Sequence, residues 1–356
     1  MKSPLLTVLV PAFNMEGWLE PCLQSLAMAL ASGAVEAIVV DDGSRDGTAA
    51  EAQAWVRRQP AVRVVHKPNG HYGSAVNAGL AVARGRYVKL LDADDTFDAT
   101  GLAALTARLA RDIANHAEID LYLTDYDEVD AQGRTRRAMV QQMPQGRPFG
   151  VAELMAHTEE LVMHACTWRV ALLRTIGYRQ STGICYSDVE WILYPVLWTQ
   201  RIGYEPVRVY RYLLGRTGQS VSLAERRRNV GAWQVLLTRI IDFSRHQAGV
   251  LTPPARAYLA QVMVTMARMY LETAFVLQPL RRAPGELRHF LGLLSAASPE
   301  IARRLENEAM ILKGTLRIRY LRIWQRLPFG KLAWMAVVRG YLAVVRGVRR
   351  IQGKEP

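Results

Sequence analysis

The chain has 356 residues, half of them apolar and 22% charged, which excludes a mainly disordered protein and leaves room for two or three folded units. Its net charge of +13 suggests an anionic partner, but eleven Lys and Arg and no Asp or Glu fall between Lys313 and Lys354, so the tail nearly accounts for the whole excess. Three widely separated cysteines, Cys22, Cys166 and Cys185, lack CxxC spacing and argue against a disulfide framework or a zinc site.

Residues 5–10, LLTVLV, predict a short buried strand that Pro11 ends. The apolar run is too short for a signal segment, so the expectation is a chain that starts in the cytoplasm. Leu19, Leu23, Leu26 and Leu30 then share one face of a predicted helix. VEAIVVDDGS reads as a second strand closed by two aspartates and a turn, TAAEAQAWVRR as a helix, and VRVVHK as a third strand. A helix from Ser74, as N-cap, to Gly85, as C-cap, leads into the strand YVKLLD. This βαβαβαβ order predicts an α/β fold, Rossmann-like, with a mostly parallel sheet and helices on both faces. Ligands of such sheets bind beyond the carboxyl ends of the strands, where PAFN, DDGS and DADD should converge. No GxGxxG or GxxxxGK[ST] follows the first strand, against a dinucleotide site and a P-loop. Further on come a helix over about 100–115, an apolar strand in IDLYLTDYDEVD, and a polar connection, GRTRRAMVQQMPQGRPF. From about residue 231 the pattern is helical, with Pro253, Pro254, Pro279 and Pro284 as expected breaks.

DADD carries the chemistry. Like charges at ~4 Å oppose each other by roughly 4 kcal/mol in partly solvated protein, so carboxylates gathered at a strand end call for a cation. Oxygen donors such as Asp92 and Asp94 suit Mn²⁺ or Mg²⁺, which bridge to phosphate oxygens.

TVLVPAFNMEGWLEPCLQSL, IVVDDGSRDGT, NGHYGSAVNAGLAVARGRYVKLLDADD and YSDVEW together resemble a family 2 glycosyltransferase with the GT-A fold, in the expected order over residues 5–220. The resemblance implies a nucleotide pocket at Pro11, Ala12, Asn14 and Glu16, with Asp42 on the base; a uracil imide N–H would suit that carboxylate and favour UDP. It places Asn69, Gly70 and Gly73 in the loop over the nucleotide, although the spacing departs from the commoner N-x-G. Asp92-Ala93-Asp94 stands for the DxD motif, Asp94 binding the metal directly, Asp92 nearer the ribose or the metal's waters, and Asp95 behind them. Asp188 corresponds to the catalytic base, with Ser187 in place of the usual glutamate and Glu190 as the reserve candidate. From the run Arg208, Arg211, Arg216, Gln219 and Ser220, the candidates for diphosphate or acceptor contacts are Arg211, Arg216 and Gln219. The absence of a QxxRW-type motif disfavours a processive synthase. MHACTWRVALL offers Trp168 as an acceptor contact, while His164 and Trp168 sit at a spacing more usual for packing. The seven histidines show no metal-ligand spacing.

In the tail, Leu316, Tyr320, Ile323, Trp324 and Leu327 would share one helical face and Arg319, Arg322 and Arg326 another, as in a helix lying on an anionic membrane surface. The expected organisation is a GT-A catalytic domain over 1–220, a helical domain over 221–312 and a basic amphipathic tail over 313–356. The expected protein transfers a single sugar, with inversion, from a nucleotide-sugar donor to a glycan or lipid-linked acceptor, peripheral on the inner face of the cell membrane. No nucleic-acid partner is expected, since no recognised module accompanies the charge. The rival readings are a nucleotidyltransferase, which lacks its Gly-rich triphosphate loop here, and a non-catalytic scaffold that keeps the fold.

Overall fold

The computed structural model describes residues 3–158, 160–216, 219, 225, 228–247, 249–277, 283–307, 310–312, 316–318, 326, 336 and 340. Two compact units emerge, Met1–Arg216 with Leu251–Tyr258, and Thr217–Val250 with Leu259–Pro356.

In the first unit, β1 (Leu6–Ala12) and β2 (Val35–Asp41) are buried at every residue, as strands covered on both faces must be. With β3 (Val62–His66) and β4 (Tyr87–Leu90) they form the parallel order β3-β2-β1-β4. The register runs from Leu6 opposite Val35 to Ala12 opposite Asp41, so the loops after β1 and β2 leave the sheet side by side. Beyond β4 the sheet becomes mixed. It continues through β5 (Thr96–Phe97), β6 (Leu121–Val129), β7 (Thr135–Met139), β8 (Cys166–Arg169) and β9 (Ile202–Leu213). Their spatial order after β4 is β8-β6-β9-β5, with β7 added antiparallel to β6; β6 and β9 are parallel, and the other pairs of this half are antiparallel.

Several local expectations are corrected. The helix read through Leu19 to Leu30 is two helices, α1 (Leu19–Gln24) and α2 (Ala27–Ala31). Ser25 interrupts them, its hydroxyl donating to Cys22 O at 2.6 Å and accepting from Phe97 N at 3.0 Å. After α3 (Thr48–Arg58), α4 runs over His71–Val82 with Gly70, not Ser74, at its N-cap, and ends before Gly85. Gly85 serves a close crossing instead: its N–H donates to Thr7 Oγ1 at 2.8 Å, and a Cβ there would lie 2.4 Å from Thr7 N. Helix α5 (Ala99–Ala114) follows, capped by Asp98, which accepts from Gly101 N. The polar connection after β6 contains β7, whose TRRAM is exposed along nearly its whole length and so lacks the apolar alternation that marks a strand.

The first unit also holds α6 (Val151–His157), α7 (Val170–Thr175) and α8 (Asp188–Trp198). The second part of the chain supplies α9 (Val230–Gln247), α10 (Pro253–Leu277), α11 (Ala283–Ala297) and α12 (Pro299–Asn307). Pro253, Pro254 and Pro284 fall in first turns, where a missing N–H removes no helical bond, so they start helices rather than break them. Pro279 lies outside the described residues. β10 (Met310–Leu312) pairs antiparallel with β11 (Leu316–Ile318), which corrects the helix expected at Leu316. The remainder of the expected amphipathic tail lies outside the described residues apart from 326, 336 and 340. Among the described residues no helix is long and apolar enough to cross a membrane.

Gly101 packs α5 against β9 so closely that a Cβ would sit 1.9 Å from Arg208 O. Gly101→Ala should therefore lower stability to urea by about 3 kcal/mol. Gly292→Ala, in the middle of α11 with open space around it, should raise it by about 0.5–1 kcal/mol. Equal responses of the two variants would show that propensity, not contact, governs both.

Candidate functional site

Asp92, Asp94 and Asp95 leave β4 in a tight turn closed by Asp95 N donating to Asp92 O at 2.9 Å. Each carboxylate has a different partner. Asp92 Oδ1 accepts from the Tyr72 hydroxyl at 2.8 Å, and Asp94 Oδ2 accepts from Arg216 Nε at 2.7 Å. Asp95 is buried, its Oδ2 accepting from the Tyr210 hydroxyl at 2.6 Å and its Oδ1 from Leu213 N at 2.7 Å. Burial, then repulsion from Asp94, pushes the Asp92 carboxyl up to about 7 despite the Tyr72 hydrogen bond. Burial, then repulsion from Asp92 and Asp94, holds Asp95 well above the usual carboxylate range. Oxygen donors with this unmet negative charge fit a divalent metal.

Asp188 opens α8. Burial raises its carboxyl, while the N–H groups of Asp188 and Val189 at the helix start work in the opposite direction. It acts electrostatically on Asp92, as does Arg216, so the structure brings Asp92, Asp94, Asp188 and Arg216 into one cluster. Tyr186, two residues earlier, takes φ 63°, a backbone conformation that non-glycine residues seldom adopt outside constrained loops. Ser187 is fully buried and its hydroxyl accepts from Gln180 Nε2 at 3.1 Å, a structural role at the position of the expected glutamate. Glu190 is corrected as a reserve base: it is buried and accepts from Ser181 N at 2.6 Å and from Ser181 Oγ at 2.7 Å.

The other end of the crevice forms where β1 and β2 finish. Pro11 and Ala12 are buried strand residues, and Ala12 O accepts from Asp42 N at 2.9 Å. Asn14, at φ 54°, accepts from Arg45 N through Oδ1 while its own N–H donates to Ser44 Oγ at 3.0 Å. Glu16 Oε2 accepts from Gly47 N at 2.9 Å. Both side chains thus tie the β1 and β2 loops together. Asp42 is buried and paired with Lys67 Nζ at 2.5 Å, and both its oxygens accept from Gly70 N at 3.1 and 3.2 Å. Asn69 Nδ2 donates to Asp42 O at 3.1 Å. Gly73 faces protein, since a Cβ there would lie 2.1 Å from Ser181 O. Its small size admits the segment that precedes α8.

Two candidates are placed away from the crevice. Trp168 is fully buried in β8 between β4 and β6, so it cannot stack on an acceptor. Arg211 sits in β9 opposite Thr96 and Asp127, and its guanidinium donates to Gly133 O in the turn between β6 and β7. Gln219 is buried and belongs to the second unit.

Sequence reading missed Lys67, Tyr72 and the surroundings of His164. Lys89 is fully buried; its ammonium donates to His164 O at 2.7 Å and to Cys166 O at 3.2 Å, and burial pulls it down to about 7. His164 packs against Tyr212, Tyr210 and Tyr126 with ring centres 4.4, 4.6 and 5.3 Å away. Burial, with the Lys89 charge, holds its imidazole near 3, neutral at physiological pH.

Residues 7–174 match the sequence model of Glycosyl transferase family 2. EpsJ of Bacillus subtilis, an uncharacterized glycosyltransferase, is 36% identical over 103 residues, 29% of this chain and 30% of its own. The putative glycosyltransferase EpsH of the same organism is 29% identical over 149 residues, 42% of this chain and 41% of its own. The chain therefore spans well under half the length of these relatives. In fold it is similar to residues 1–349 of S. aureus TarS in complex with UDP-GlcNAc, with a TM-score of 0.64 and 19% identity over 98% of this chain and 92% of that one. The mixed sheet with its carboxylate-lined crevice is a GT-A fold. The match to glycosyltransferase family 2 covers just under half of the chain, the stretch that carries the carboxylate-lined crevice.

The carboxylate cluster sets a pH signature. Asp92 rises from an ordinary 3.8 to about 7, so between these values the folded chain binds the proton that the unfolded chain has released. Stability in EDTA should then fall as pH rises from about 4 to about 7. Asp92→Asn should flatten that fall in urea titrations at each pH; an unchanged slope would assign it to other groups.

Proposed function

We propose that the chain is a metal-dependent, inverting glycosyltransferase that moves one sugar from a UDP-sugar to a hydroxyl of a cell-envelope polysaccharide, polyol phosphate or glycolipid. The observation that carries this reading is the meeting of Asp188, at the start of α8, with the carboxylates after β4 and with Arg216. A raised carboxyl on a helix N-terminus is suited to take a proton from an acceptor hydroxyl near neutral pH. UDP is favoured by Asp42, whose carboxylate could accept a uracil imide N–H, and by the likeness to the TarS fragment that binds UDP-GlcNAc.

In this mechanism the acceptor oxygen attacks the anomeric carbon from the face opposite the diphosphate while Asp188 removes its proton. The anomeric carbon–oxygen bond breaks, UDP departs, and a single displacement inverts the configuration. Asp92 and Asp94 would hold Mn²⁺ or Mg²⁺, which supplies Lewis-acid stabilisation of charge on the departing diphosphate. Arg216, already aimed at Asp94, donates to phosphate oxygens on the same side. Lys67 and Gly70 hold the Asp42 carboxylate oriented for the base. Residues 313–354 would hold the enzyme on an anionic membrane surface at the inner face of the cell membrane, a role that rests on their sequence pattern.

Titration calorimetry with UDP, GDP, CDP and dTDP should show binding of UDP that depends on Mn²⁺, disappears in EDTA and is lost in Asp94→Ala. Preference for another nucleotide would overturn the donor class, and metal-independent binding the role of Asp94. Asp188→Asn should lower transfer by about 10²–10⁴-fold while leaving UDP affinity unchanged. Unchanged turnover would remove Asp188 from the reaction.

A further inference from the structure

Asp92 lies between two different environments. On one side Asp94 is paired with Arg216; on the other stand Asp95 and His164. One ligand atom from each of Asp92, Asp95 and His164 lies within 4.8 Å of the other two. His164 comes from the 3-10 turn Met163–Ala165, immediately before β8, so it reaches this point from a segment some seventy residues away along the chain. Its Nδ1 is buried and has no hydrogen-bond partner among the described residues. An imidazole nitrogen buried without a partner is expensive to keep unless something binds there. The ring is held by aromatic packing against Tyr126, Tyr210 and Tyr212 and by its backbone, whose carbonyl accepts from Lys89 Nζ. These contacts fix the ring without a hydrogen bond to Nδ1.

We infer that His164 supplies a nitrogen ligand to the metal centre, beside Asp92 and Asp95, and that this nitrogen makes the centre selective for Mn²⁺ over Mg²⁺. The inference rests on the metal-dependent reading of the site and deepens it. Magnesium is hard, holds its waters strongly and is served by oxygen alone; Mn²⁺ takes carboxylates as magnesium does but, as a transition ion, also accepts an imidazole nitrogen, so a nitrogen ligand favours it over Mg²⁺. Asp95 remains anchored by Tyr210 and Leu213 N, so it joins the centre through lone pairs that those donors leave available.

The test uses the full chain with UDP and Mn²⁺ and reads the metal itself. Pulsed EPR of the bound Mn²⁺ should show coupling to a ¹⁴N nucleus that disappears in His164→Gln, with the protein still folded by circular dichroism. Calorimetry should show Mn²⁺ bound more tightly than Mg²⁺, with His164→Gln losing about tenfold or more in Mn²⁺ affinity and little for Mg²⁺. Bound Mn²⁺ without nitrogen coupling, lost in Asp94→Ala, would overturn the inference and leave an oxygen-only centre with the proposed reaction intact. Nitrogen coupling that survives in His164→Gln would place the ligand elsewhere and equally overturn it. Failure of Mn²⁺ to bind at all, with or without UDP, would overturn both the inference and the metal-dependent reading.

Discussion

Repulsion among Asp92, Asp94 and Asp95 is the constraint around which the first unit is arranged. Three carboxylates in four residues at a buried strand end are unfavourable, and each is met by a separate element: Tyr72 from α4, Arg216 beyond β9, and Tyr210 with Leu213 N from β9 itself. The mixed half of the sheet follows from that requirement. β9 must run past the end of β4, beside β5, for Tyr210 to reach Asp95, and a parallel crossover after β4 would not put it there. What results is a cluster satisfied hydrogen bond by hydrogen bond yet short of positive charge.

The opposite end of the crevice is built by a different device. Asp41 and Asp42 also end a parallel strand, but here the chain supplies the compensation. Asp41 accepts from Ser44 N at 2.9 Å and lies 3.0 Å from His66 Nδ1; burial works against these bonds, and they still hold it below the usual range. Asp42 has Lys67. The short segment after β3 runs from Lys67 through Gly70 into the start of α4, where His71 takes φ 66° and Tyr72 follows. It therefore contacts Asp42 with one end and Asp92 with the other, so the positions of the two carboxylates are mechanically linked. The strained His71 is the natural place for the chain to store the sharp change of direction this requires.

Much of this was legible in the sequence, and the reasons differ between elements. β1 and β2 could be read because parallel strands buried on both faces are mostly apolar, and their alternation with helices up to β4 gave the crevice and its PAFN, DDGS and DADD borders. β7 could not, because an exposed edge strand such as TRRAM carries no apolar alternation. The aspartates stood out as local clusters, whereas Tyr72 looked like any tyrosine beside glycine and His164 like a packing residue. Their significance arises from long-range pairing of β4, β8 and β9, which spacing along the chain does not encode. Trp168 and Arg211 failed for the converse reason: residue type suggested a surface role, but register sent one into the sheet and the other to a distant turn.

The arrangement of Lys89 closes the electrostatic argument. A lysine directly before this aspartate cluster in sequence could have been its internal counter-charge, which would make an external cation unnecessary. The structure uses it otherwise. Its ammonium is turned toward the carbonyls of His164 and Cys166, and no carboxylate is among its hydrogen-bond partners. Burial then brings it to about 7, where it carries only part of a charge at neutral pH. Arg216 is left as the one arginine hydrogen-bonded to the cluster among the described residues, and there it is paired with Asp94. Asp92 and Asp95 consequently share a buried negative charge that the protein has orienting donors for but no ion to match, which is the condition under which a divalent cation is drawn in rather than excluded.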